Sequence, residues 1–142
     1  MGGSAVNASV PLPIVHYTYV AGIDCMLSAS NTGTTRERFG NSEVWAPSAD
    51  GAGFNHRNLP ITVRFPNDDD GINRICVVEA TMGSAAEQAV LTKAFKQSLG
   101  KFVKQSNSNI WLKQTAAGTR GLQLFPDKLS NQPKVRLIGA AF

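Results

Sequence analysis

The sequence is short of ionised side chains. Asp, Glu, Lys and Arg make up 17% of its 142 residues, against roughly 25% in an ordinary soluble protein. Ser, Thr, Gly and Asn take the place of the missing ions. Uncharged polar groups lose less solvation free energy than ions when they are buried. The composition therefore favours a chain that covers much of its surface with other macromolecules, copies of itself included.

Long apolar runs are also missing. No stretch approaches the ~18 residues that a membrane-spanning helix needs, so we expect no membrane partner. Residues 1–4 carry no basic n-region and no apolar h-region follows them, which favours a cytoplasmic start over a secretory signal. The length fits a single domain over residues 1–142, with an arm-like N-terminus over about residues 1–10.

Cysteine is scarce, and Cys25 and Cys76 both lie among apolar neighbours. The first interpretation is a pair of buried thiols that pack as small hydrophobic side chains. The alternative is a Cys25–Cys76 disulfide, which would imply an oxidising compartment. The sequence contains no CxxC motif and no Cys/His cluster, so we expect no zinc site and no cofactor.

Recognisable catalytic motifs are absent as well. The sequence contains no P-loop, no dinucleotide fingerprint and no G-x-S-x-G elbow. His56, near Asp50 and Arg57, is the one candidate general base by location, whereas His16 lies in an apolar run that favours a structural imidazole. An EF-hand reading of residues 68–70 fails, because Pro66 and Val77 stand where acidic ligands would be needed. We therefore expect no enzyme, and a solvated turn at residues 67–71.

Charge is distributed unevenly along the chain. Residues 1–83 hold five basic and eight acidic side chains, whereas residues 84–142 hold nine basic and two acidic ones. This asymmetry indicates a polyanionic partner, or copies that meet acidic part to basic part. One hypothesis brings four basic residues of the C-terminal part together with the lysines of the preceding helix to form a groove for phosphates, in which Trp111 and Phe125 are the candidate stacking platforms. The four residues are Lys113, Arg120, Lys134 and Arg136.

The first part of the chain favours extended structure. Residues 12–20 and 23–29 are rich in β-branched and aromatic side chains, which predicts two strands. Residues 30–58 lose periodicity and predict a long polar loop, functional in itself or hiding a short strand at residues 43–46. Residues 59–66 and 72–82 flank turn-forming residues, which predicts a β-hairpin. The second strand has apolar side chains at both odd and even positions, which predicts that both of its faces are covered.

A helix over residues 84–106 is the best-specified element. Ser84 and Glu87 form a capping box, and Leu91, Phe95, Leu99 and Phe102 fall on one stripe at helical spacing. Shorter strands are expected at residues 110–114, 122–125 and 134–141. The predicted fold class is α+β: an antiparallel β-sheet with one long amphipathic helix (84–106) packed on it and further short C-terminal strands.

An apolar strand at residues 74–82 that leads directly into this capped helix resembles a pattern in the coat proteins of single-stranded RNA bacteriophages. The resemblance covers about residues 59–106. It implies a sheet that faces RNA, with helices of two subunits interlocked over its other face. It also implies that polar strand residues contact RNA, and the positions it selects are Thr62, Arg64, Asn73 and Arg74.

Two functional hypotheses follow. The first is a non-enzymatic structural subunit that assembles with itself into a virion in the host cytoplasm and binds RNA through its sheet. The second is an exported binding module, periplasmic or extracellular, that carries the Cys25–Cys76 disulfide and uses residues 30–58 as its binding surface.

Overall fold

One antiparallel sheet organises the protein. The computed structural model describes residues 13–29, 32–66, 75–105, 107–126 and 133–141. The sheet has eight strands in this part of the chain, in the order β1-β2-β3-β4-β8-β7-β6-β5, and each strand runs antiparallel to its neighbours. The strands are β1 (Trp45–Pro47), β2 (Gly53–His56), β3 (Ile61–Arg64), β4 (Ile75–Thr81), β5 (Val103–Gln105), β6 (Ser108–Thr115), β7 (Gly118–Pro126) and β8 (Lys134–Ala141).

Three helices accompany the sheet in the described residues: α1 (Pro13–Leu27), α2 (Thr32–Gly40) and α3 (Ala85–Leu99). Helix α1 packs on β3, β4, β7, β8 and α3, whereas α2 lies against β1 and α3 also contacts β6. The core between helices and sheet includes Phe95, Trp111, Leu122 and Val78, none of which is exposed. The predicted α+β class is confirmed, but three helices replace the single one expected.

Helix α1 corrects the prediction of two strands at residues 12–20 and 23–29. Its buried residues Ile14, Thr18, Gly22 and Cys25 recur at steps of three or four, which is the spacing of one helix face. Pro13, expected to hold a strand at a sheet edge, is instead the first helical residue, a position where its missing N–H costs nothing. Burial of this face outweighs the strand preference of the individual side chains.

Residues 32–58 correct the prediction of a long polar loop. They contain α2, β1 and β2, and β1 overlaps the short strand expected at residues 43–46. The aromatic rings of Phe39, Trp45 and Phe54 lie together, with centroids 5.1 and 5.8 Å from Phe39. Three large apolar side chains spread thinly over a polar segment thus form a small core of their own.

Helix α3 is shorter than predicted. Ser84 caps it as expected, since its side chain accepts the Glu87 N–H at 3.2 Å while the Glu87 carboxylate accepts the Gly83 N–H at 2.6 Å. The helix ends at Leu99, and Gly100, which caps it, has a φ of 86°, a backbone conformation that favours glycine. Residues Val103–Gln105, expected to belong to this helix, form β5 instead.

The hairpin and the C-terminal strands agree with the sequence. Strands β3 and β4 pair with Val63 opposite Val78, while β6, β7 and β8 lie where three short strands were expected. The turn residues 67–74 and the arm at residues 1–10 lie outside the described residues.

A covalent link fastens α1 to the centre of the sheet. Cys25 and Cys76 form a disulfide with a Cα–Cα distance of 5.3 Å, so the interpretation as two free thiols is wrong. Beside this bond the backbones of α1 and β8 approach closely: a Cβ atom at Gly139 would lie only 2.7 Å from the Met26 nitrogen. Glycine at this position in β8 therefore lets α1 lie directly on the sheet.

Candidate nucleic-acid interface

The sheet has one covered and one open face. Side chains alternate between the faces along each strand, and paired residues of neighbouring strands share a face. In β4 and β8 the buried residues Val78, Val135 and Leu137 point towards the helices, whereas the alternate positions are half-buried or exposed. No described helix packs on that second face. Among the described residues, the cover expected on the second face of this strand is therefore not found.

A polar row crosses five strands of the open face. The register places Asn55 opposite Thr62, Thr62 opposite Glu79, Glu79 opposite Arg136, and Arg136 opposite Phe125. Directly opposed side chains on one face lie about 4.5–5.5 Å apart at Cβ, within reach of one another. Hydroxyl, carboxylate, guanidinium and aromatic groups therefore follow one another along a single line.

Two cations flank this row. Thr81 is paired with Lys134 on one side, and Arg64 is paired with Val77 on the other. The Arg64 guanidinium is partly engaged already, since Nη1 donates to the Val63 carbonyl at 3.1 Å and to the Asn55 Oδ1 at 3.3 Å. Lys134, by contrast, is exposed.

Arg136 and Phe125 form a composite surface. The guanidinium carbon lies 4.8 Å from the centroid of the Phe125 ring, within the range of a cation–π interaction. Phe125 is half-buried and Arg136 is exposed. The ring supports the guanidinium from one side, so the plane of the charged group stays available on the other side.

An open depression of about 500 Å³ lies at this end of the face. Thr62, Glu79, Phe125, Lys134 and Arg136 all line it. Its walls thus combine an aromatic ring, two cations, one carboxylate and a hydroxyl. This combination can accept a ligand that has a flat ring, an anionic group and hydrogen-bond donors.

The other half of the open face is apolar. A second row runs from Val77 through Ile138, Gln123 and Ile110 to Val103. Val103 is 66% exposed and Leu112, in the next row, is 60% exposed. These side chains lie near β5, which has a neighbour on one side only in the described sheet. Such a surface fits a protein contact better than a phosphate backbone.

Of the four residues selected for RNA binding, two lie on the open face. Thr62 and Arg64 belong to it through their pairing with Glu79 and Val77, whereas Asn73 and Arg74 lie outside the described residues. Sequence reasoning missed Glu79 and Phe125 as site residues. Their signal is the strand alternation, but it requires the register of β4, β8 and β7, which one sequence does not provide.

The predicted groove between the helix lysines and four C-terminal basic residues does not form. Lys134 and Arg136 lie on the open face, opposite to α3. Arg120 is 2% exposed and donates to the Thr119 carbonyl at 3.1 Å. Lys113 shares a face with Arg120 rather than with Lys134.

Of the two candidate stacking platforms, only Phe125 lies on the open face. Trp111 is fully buried and donates its indole N–H to the Gly100 carbonyl at 3.1 Å. It is therefore a core residue that also satisfies the backbone at the end of α3.

His56 is part of the core rather than a general base. It is 7% exposed, and its ring lies 4.6 Å from that of Tyr17 and 5.1 Å from that of Trp45. Nδ1 accepts the N–H groups of Asn58 and Leu59, each at 3.1 Å, so it has no lone pair left to take a proton. Burial lowers the pKa of this imidazole. His16, expected in a strand core, lies exposed on α1.

Comparison with protein-family models, with curated proteins and with solved structures finds no match to this chain. Within the described ranges, no group of three or more His, Cys, Asp or Glu side chains is arranged to hold a metal ion. None of the helices described is both long and apolar enough to cross a membrane.

Proposed function

We propose that this protein is a non-enzymatic structural subunit that assembles with copies of itself, as in a virion coat, and binds RNA through the open face of its sheet. The observation that carries the proposal is the one-sided architecture: the packed helices cover one face, while the other presents cations, hydroxyls and an aromatic ring.

The polar half of the open face supports an RNA partner. Arg64, Lys134 and Arg136 outnumber Glu79, the one acidic residue in the described strands. Cations on a flat surface bind phosphates without regard to sequence, and an aromatic ring or guanidinium plane offers a surface for an unpaired base. A single strand suits this face because its bases are free to lie against the sheet.

The apolar half supports self-assembly. Val103 and Leu112 are the most exposed of the large apolar side chains in the described residues, and β5 presents an edge that a strand of a second copy can extend. The opposite net charges of residues 1–83 and residues 84–142 also favour contacts between copies.

The proposal is tested by purifying the untagged protein from cells and measuring its molar mass and its ratio of absorbance at 260 and 280 nm. We expect dimers or larger particles that carry host RNA and release it after ribonuclease treatment. A monodisperse monomer free of nucleic acid would contradict the proposal.

Variants separate the two halves of the face. Arg136→Ala should weaken RNA binding and lower the salt dependence of log K by about one unit of slope, whereas Lys93→Ala, the same charge change on exposed α3, should leave both unchanged. Leu112→Glu should reduce the molar mass of the assembly, while Val90→Glu, at an exposed apolar position of α3, should preserve it. If Arg136→Ala and Lys93→Ala changed RNA binding equally, the assignment of the polar half to RNA would be refuted. If Leu112→Glu and Val90→Glu changed the molar mass equally, the assignment of the apolar half to self-assembly would be refuted.

A second candidate is favoured by one specific observation, the Cys25–Cys76 disulfide. Such bonds persist in oxidising compartments, which fits an exported binding module. The intact mass of the native protein, which is lower by two hydrogen atoms when the bond is present, is measured together with the molar mass and the RNA content. An oxidised monomer that binds no RNA would favour this candidate.

A further inference from the structure

We infer that the depression beside Phe125 and Arg136 is a nucleobase site that selects the bases carrying an exocyclic amine (cytosine, adenine and guanine) over uracil. The inference rests on the proposed binding of RNA to the open face and adds a base preference to it. The volume of the depression, about 500 Å³, falls within the roughly 300–1,000 Å³ of sites that hold small organic ligands.

The anchor of the site is the Arg136 guanidinium. It lies over the Phe125 ring, with 4.8 Å between its carbon and the ring centroid, and its free side can stack on a base. Lys134 lines the same depression and can hold the phosphate attached to that base. These groups bind any nucleotide, because every base has an aromatic face.

Glu79 supplies the preference. It lies on the opposite side of Arg136 from Phe125, since β8 separates β4 from β7. A carboxylate on a surface that binds phosphates opposes binding unless it receives a hydrogen bond. The ionised group only accepts hydrogen bonds, so it attracts the exocyclic amine of cytosine, adenine or guanine and repels the O4 carbonyl that uracil carries in place of the cytosine amine.

The test uses fluorescently labelled oligo(C) and oligo(U) of equal length, whose bases differ in the group on C4 (amine or carbonyl) and in the proton on N3. Fluorescence anisotropy titrations give the two dissociation constants for the full-length protein. We expect oligo(C) to bind about tenfold more tightly than oligo(U), the lower part of the range for one base-edge contact.

Glu79→Gln decides whether the carboxylate is the cause. A glutamine both donates and accepts, so oligo(U) should bind more tightly and the ratio should fall towards one. Glu37→Gln makes the same charge change at an exposed position of α2 and should leave the ratio unchanged.

The outcomes separate this inference from the proposed function. Equal affinities in the native protein, or a ratio that Glu79→Gln leaves unaltered while both oligonucleotides tighten alike, would overturn the base preference and leave RNA binding in place. If neither oligonucleotide binds, the proposed RNA-binding function fails, and the base preference fails with it.

Discussion

Reduction of the Cys25–Cys76 disulfide should lower the free energy of unfolding by about 4 kcal/mol. The bond closes a loop with a sequence separation of 51 residues between α1 and β4. In the chain-entropy account, cross-linking restricts the unfolded chain by about 3 kcal/mol for a 15-residue loop and about 4.7 kcal/mol for a 100-residue loop. The present loop falls between these values.

The assay is urea unfolding of one protein sample in two redox states. Wild-type protein is unfolded in the absence of reductant, and again after full reduction under denaturing conditions followed by refolding in reductant. The midpoint should fall on reduction, and the m-value should rise because the reduced unfolded chain is more open. By heating, the same change corresponds to a midpoint lower by roughly 8–16 °C.

The result that would refute this reasoning is an identical urea midpoint in both states, with the thiols shown to be reduced. An unchanged midpoint would mean that packing alone holds α1 on the sheet and that the unfolded chain gains no conformational entropy when the disulfide is reduced. Methylated thiols in the refolded sample provide the control, because they prove that the bond has not re-formed during measurement.

Three other perturbations test the packing of the core and of the helices. Because burial lowers the pKa of His56 in the folded protein, the unfolded chain binds the proton more readily, so stability should fall as pH drops below about 6.5; urea titrations should show a weaker fall in His56→Gln. Gly139→Val should cost about 1–3 kcal/mol or more, because its Cβ would meet the α1 backbone at 2.7 Å, and a thermal shift should detect this. Ser84→Ala should cost about 1 kcal/mol by loss of the N-cap, whereas Ser84→Asp should retain the stability.

Secondary-structure elements that are specified by nearby residues are predictable from this sequence, whereas α1 is not. Ser84 and Glu87 specify the start of α3 through hydrogen bonds within four residues, and β8 alternates plainly between Val135 and Lys134. In α1, Ile14 and Val15 prefer strands when judged singly. The helix forms because its buried face meets β4 and β8, which are distant in sequence. Tertiary packing overrides local preference there.

The candidate site is hidden from sequence for the same reason. Glu79 and Phe125 are 46 positions apart along the chain, yet β8 alone lies between their strands in the sheet. Their juxtaposition depends on the pairing of Arg136 with both. No periodicity of a single segment contains that information. The sequence predicts only the alternation within each strand, which places Lys134 with Arg136 on one face of β8 and Thr62 with Arg64 on one face of β3.

The division of charge along the chain has a different meaning once the register is known. Basic residues gather in the C-terminal part of the sequence, but strand alternation distributes them over both faces of the sheet, with Lys134 and Arg136 on the open face and Lys113 on the other. The open face also takes Arg64 from the acidic part of the chain. The open face is therefore a mixed surface in which a few cations surround Glu79. If RNA binds there, as proposed, such a surface would attract phosphates weakly enough for base contacts to influence the affinity, which a dense basic patch would obscure.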